Sequence, residues 1–97
     1  MACRVMLEFT ARKGTGPALL EGLRAALPIT RSKDGCQSLE LTANQDNPDN
    51  MIIVMRWESR EHYNTYRAWR EASRDVRQLA DATEGGLSTR FFDITDA

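Results

Sequence analysis

Four of the chain's seven aromatic residues, Trp57, Tyr63, Tyr66 and Trp69, fall within thirteen positions, and the single histidine, His62, lies among them. These residue types offer two kinds of chemistry. Flat rings can wall a site for a flat organic ligand. Phenolic hydroxyls can donate to a ligand oxygen, and an imidazole can take a proton near neutral pH. His62, Tyr66, Trp69 and Ser73 are spaced 4, 3 and 4 apart, which places them on one helical face with Tyr63 beside it. His62 is then a candidate base, Tyr66 a candidate donor, and Trp57, Tyr63 and Trp69 candidate substrate contacts. The same face would serve a helix packed into a core, so the pattern alone leaves site and packing both open. Arg90, in the middle of a late strand pattern, could hold a phenolate or carboxylate. Arg4, Glu8, Ser38 and Glu40 share that setting. They read either as solvated positions with local ion pairing or as a polar lining between a sheet and a partner.

Several other chemistries are excluded. Lys and Arg number 13 against 14 Asp and Glu, a net charge of −1, so no basic excess exists to neutralise a phosphate backbone. Cys3, Cys36 and one His make no metal-ligand spacing, and the two thiols read as reduced. Gly14-Thr15-Gly16 after a strand superficially suggests a dinucleotide turn, but Leu19 stands at the third glycine position. The longest apolar run, Met51 to Met55, is far below the roughly 20 residues of a membrane span, and Glu8 and Arg12 interrupt any leader-like segment. A cytoplasmic location follows as an expectation.

Ninety-seven residues form one domain. Val5, Leu7 and Phe9 alternate with polar neighbours, so residues 3–12 read as a strand. Pro17 opens a helix capped by Thr15 or Gly16, its Leu19, Leu20, Leu23, Ala26 and Leu27 face inward, and Pro28 is expected to end it at about residue 27. Residues 36–43 form a second strand, and Asn44–Asn50 reads as a long hairpin loop. The third strand, residues 51–58, is apolar on both faces. Ser59 caps a helix running to about Ser73, a shorter helical piece spans 75–82, Gly85-Gly86 is expected to stop it, and residues 87–94 close the chain as a strand. The order β-α-β-β-α-β predicts a ferredoxin-like α+β fold: a four-stranded antiparallel sheet with its helices on one face. Two helices cover one sheet face, yet the third strand is apolar on both. A homodimer pressing sheet against sheet would bury the other face.

One set of features points to a family. Gly14 and the Leu-rich helix, Thr30-Arg31, Gly35-Cys36-x-Ser38, Asn47-Pro48, Trp57-x-Ser59-x-Glu61 followed by Tyr66-x-x-Trp69, and Phe91-Phe92-Asp93 occur in order. In this the chain resembles the antibiotic-biosynthesis-monooxygenase-like domains of the dimeric α+β barrel superfamily. The resemblance implies a homodimeric α+β barrel with a pocket between the sheet and helices of each subunit. It also implies a cofactor-independent monooxygenase, using neither metal nor flavin, that reacts molecular oxygen with a small aromatic quinol or anthrone. Other members degrade haem or act on small signalling molecules. This chain departs from many of them: Met55 stands where they carry Glu, and Tyr66 where they carry His. Its first strand lacks the Asn of the haem-degrading members. The expected functions are thus such an oxygenase or, alternatively, a non-enzymatic barrel binding a small hydrophobic ligand, or an oxygen-independent isomerase or cyclase.

Overall fold

The computed structural model describes residues 2–97. Its elements are β1 (Cys3–Ala11), α1 (Gly16–Arg31), β2 (Cys36–Asn44), β3 (Asn47–Trp57), α2 (Arg60–Ala72), α3 (Asp75–Asp81) and β4 (Thr83–Asp93). The strands form one antiparallel sheet in the order β2-β3-β1-β4, so the two most apolar strands lie at its centre. This is the ferredoxin-like α+β fold, with the short α3 added before the last strand. Along β1, buried and half-exposed residues alternate without a break, because one face meets the helices. Cys3, Val5, Leu7 and Phe9 on β1 join Met51, Ile53, Met55 and Trp57 on β3 in the core, with Leu27, Leu39 and Tyr63 above them. The opposite face carries Met6, Ile52 and Val54, half-exposed, and Phe92, 47% exposed, among Arg4, Glu8, Arg56 and Arg90.

Three boundaries differ from the sequence reading, each because tertiary contacts overrule a local signal. Pro28 does not end α1, which continues to Arg31. Proline removes a single backbone donor there, while Leu27 and the fully buried Thr30 anchor the last turn against the core. The long loop expected over Asn44–Asn50 is a tight turn at residues 45–46, and β3 begins at Asn47. The β2–β3 register shifts between Ala43 and Asn44, and Pro48 falls inside that irregularity, where no ladder donor is needed. Gly85-Gly86 does not stop the helix. Both glycines lie within β4 at φ 77°, where β4 bulges against β1 between the pairs Glu8–Ser88 and Thr10–Glu84.

The start of α1 is fixed from a distance. Thr15 is its N-cap but makes no side-chain cap bond. The Asp49 carboxylate on β3 accepts instead from Gly14 N at 2.9 Å and Gly16 N at 2.8 Å. Cys3 and Cys36 both pair with Trp57 from opposite sides of β3. They are therefore two strand spacings, about 9.5 Å, apart, beyond the reach of a disulfide.

Candidate active site

Between the sheet and the three helices lies a cavity of about 260 Å³. Leu7 and Ile53 form its floor, Leu23 and Leu27 of α1 one wall, and Leu79 of α3 and Leu87 of β4 another. Most of the polar part comes from α2, joined by Thr30 of α1 and Asp75 of α3. Tyr63, Tyr66, Arg67 and Arg70, at i, i+3, i+4 and i+7, all line the cavity. Ser59 sets the direction of α2, its hydroxyl accepting from His62 N at 3.2 Å.

Arg70 is only 8% exposed and Thr30 is fully buried. Arg70 donates through Nε to Tyr66 Oη at 2.9 Å, through Nη1 to Asp75 Oδ2 at 2.7 Å, and through Nη2 to Thr30 Oγ1 at 3.0 Å and the Ala26 carbonyl at 3.1 Å. The Thr30 and Tyr66 hydroxyls lie 2.7 Å apart. Between them they carry two protons, and one occupies the bond that joins them. The other has no acceptor among the described residues, and the cavity lies beside both groups. A second phenol repeats the motif: Arg67 Nη1 donates to Tyr63 Oη at 3.0 Å and to Thr89 Oγ1 at 3.2 Å. Burial pushes the Tyr63 phenol above its ordinary pKa, with the Arg67 hydrogen bond opposing, so it stays a neutral donor. The hydrogen bond from Arg70 holds the Asp75 carboxyl below the usual range. For Arg70, burial works against the charge, but its bonds to Asp75 and Tyr66 outweigh burial and raise its pKa. This end of the cavity is rich in donors and suits a ligand that presents acceptor oxygens.

The residues singled out from sequence are distributed more widely. Tyr63 and Tyr66 line the cavity. Trp57 has no exposed surface and lies behind Tyr66, its ring stacked at 5.1 Å and 30°. Trp69 is 43% exposed, with Lys33 Nζ 3.7 Å from its ring centre. Trp69 and His62 line a separate outer groove with Lys33, Asp34 and Glu61, and Tyr66 borders both spaces. The His62 ring is engaged locally, Nδ1 at 2.6 Å from Ser59 Oγ and Nε2 at 3.2 Å from Glu58 Oε2. Arg90 sits on the other sheet face, 3.3 Å from Glu8 Oε1. Thr30, Arg67, Arg70 and Asp75 escaped the sequence reading. The usable signal was the spacing of 3, 4 and 7 counted from Tyr63 instead of from His62. It was masked because arginines are ordinarily assigned to the outer face of a helix.

A family model described as antibiotic biosynthesis monooxygenase matches residues 2–77. No curated protein matches the chain. Among solved structures, Rv0793 from Mycobacterium tuberculosis is 22% identical with a TM-score of 0.85, over 100% of this chain and 98% of that one. A structure described as an antibiotic biosynthesis monooxygenase is 16% identical with a TM-score of 0.83, over 96% and 98%. A conserved protein from Methanosarcina mazei Go1 is 10% identical with a TM-score of 0.85, over 98% and 94%. At such identities the structures show a shared fold, whereas the family match rests on the sequence itself over most of its length: the chain belongs to the antibiotic biosynthesis monooxygenase family.

Proposed function

We propose that the protein is a cofactor-independent monooxygenase acting on a small aromatic quinol or anthrone in the cavity beneath α2. The observation that carries this reading is the uncommitted hydroxyl proton of the Thr30–Tyr66 pair, backed by Arg70, at the polar end of an apolar cavity. Such donors favour negative charge developing on a substrate oxygen, and they do so most strongly where water is excluded. For an anthrone, loss of a proton gives an electron-rich anion. The anion gives electrons to oxygen and forms a carbon–oxygen bond. The peroxide anion so formed takes back a proton, and the hydroperoxide then eliminates water and leaves a carbonyl. One oxygen atom stays on the substrate, the other leaves in water, and the substrate supplies all the electrons. Tyr66 and Tyr63 would bind the substrate oxygens, and Trp57 would hold the Tyr66 ring in place. His62, whose ring nitrogens are held by Ser59 and Glu58, would serve as the base from the neighbouring groove, which Tyr66 also borders. Trp69 would line the approach to that groove, and Arg90 would act at the sheet face.

The apolar outer sheet face supports a homodimer through Met6, Ile52, Val54 and Phe92, with a second copy of the chain covering it. Two free thiols suit a reducing compartment and support a cytoplasmic location. No helix among the described residues is long and apolar enough to cross a membrane.

A second reading is a barrel that binds a hydrophobic ligand without turnover. Asp75 favours it: this carboxylate lines the cavity but is a weak base in the grip of Arg70. Oxygen uptake with anthrone, with and without chelator, separates the two. Chelator-insensitive uptake that Tyr66→Phe abolishes supports the oxygenase. Tight binding without uptake supports the second reading, and conversion without oxygen would favour an isomerase or cyclase.

A further inference from the structure

The two arginines of the cavity differ in what they still lack. Arg70 has an aligned counter-charge in Asp75 at 2.7 Å and further acceptors in Tyr66, Thr30 and Ala26. Arg67 directs Nη1 at Tyr63 and Thr89, but Nε and Nη2 have no hydrogen-bond partner among the described residues. Nε is buried, and it is the only buried side-chain nitrogen or oxygen left without a partner among the described residues. Glu71 Oε1 lies 3.3 Å from it, but not along the N–H direction, and the Glu71 side chain is 58% exposed. A buried donor without an aligned acceptor costs roughly 1–3 kcal/mol, which the nearby Glu71 carboxylate offsets in part.

The Nε–Nη2 edge of a guanidinium presents two parallel N–H bonds that match the two oxygens of a carboxylate. That edge belongs to a residue lining the cavity, with apolar walls close by in Leu7 and Leu87. Building on the reading of this cavity as the ligand site, we propose that it selects a planar aromatic carrying a carboxylate, which docks on the Nε–Nη2 edge of Arg67 and displaces Glu71. The neighbouring Tyr63 hydroxyl accepts from Arg67, so its own proton remains free for the same ligand. Glu71 then stands in for the ligand's carboxylate, 3.3 Å from Nε and with its side chain 58% exposed.

The test compares 2-naphthoate with its neutral, nearly isosteric amide, 2-naphthamide, by calorimetric titration at neutral pH. The parent protein is expected to bind the acid at least about ten-fold more tightly than the amide. Arg67→Gln should erase that preference while still binding the amide. Glu71→Gln should tighten the acid several-fold and leave the amide unchanged, since it removes only the competitor. This second variant alters an exposed side chain and decides the matter alone if Arg67→Gln does not fold. Equal affinities in the parent, a preference that survives Arg67→Gln, or no gain in Glu71→Gln would each overturn the assignment of Arg67. Failure of both naphthalenes to bind would overturn the reading of the cavity itself, and the carboxylate proposal with it.

Discussion

Two hydroxyls and one guanidinium form the donor group at the centre of the proposed chemistry. Arg70 donates to both Thr30 and Tyr66, which leaves one proton of the pair for a ligand. With Thr30 donating to Tyr66, that proton is the phenol's, and Tyr66→Phe removes it while keeping the ring stacked on Trp57. Its turnover is expected to fall about 10²–10³-fold, as for loss of one donor to a developing oxyanion. Steady-state oxygen consumption with thermal melting as a control checks this; a fall under about three-fold would place the chemistry elsewhere. Asp75 carries a pH signature. The Arg70 hydrogen bond favours its ionised form in the folded protein. Its stabilising effect is therefore complete above the unfolded pKa of about 3.9 and is lost as pH falls through the lower folded value. Urea unfolding should show Asp75→Asn less stable than the parent at about pH 6, with the difference closing in strong acid. A difference that stays constant into strong acid would show that the pair contributes no charge-linked stability. None of this polar end was legible in the sequence beyond the phenols. Its members come from α1, α2 and α3, and only packing shows that Arg67 and Arg70 turn inward.

At the level of elements, the reading succeeded where the apolar pattern is strong and failed where one residue type acts as punctuation. Val5, Leu7 and Phe9 identify β1 by alternation, and the unbroken apolar run Met51 to Met55 identifies β3 as a central strand. Pro28 and Gly85-Gly86 misled because each sits where the tertiary structure supplies what the local signal says is missing. The hydroxyl of Thr30 ties the end of α1 to α2, and the bulge in β4 absorbs the left-handed glycines. Gly14 and Gly16 give the same lesson from the opposite side. The backbone donors that a dinucleotide turn would aim at phosphate are filled by the Asp49 carboxylate. Asp49→Ala is accordingly expected to destabilise the protein by about 1–2 kcal/mol, the scale of a lost helix cap, although it lies on a different element from the helix it caps. Chemical denaturation measures this directly. A change below about 0.3 kcal/mol would show that water replaces the carboxylate without cost.

The whole molecule is a sheet with one covered face. The helices, the cavity and the donors lie on that side, while Met6, Ile52, Val54 and Phe92 remain on the other. Sequence alone exposed this imbalance, since β3 is apolar on both faces. The expectation of a homodimer rests on that imbalance, and the family resemblance implies the same. Val54→Asp places a charge at the middle of the proposed interface and should convert a dimer to a monomer in light scattering coupled to size exclusion, with the helical signal retained. A parent protein that is monomeric at micromolar concentration would instead remove the partner from the account. A crystal structure with anthraquinone, an unreactive planar product analogue, tests whether the cavity beneath α2 is the substrate site. The expected result is a ring among Leu23, Leu27 and Ile53, with a carbonyl oxygen within hydrogen-bond distance of the Tyr66 hydroxyl. A ring seated instead in the outer groove against Trp69 and Lys33, or a cavity closed by its own side chains, would contradict it.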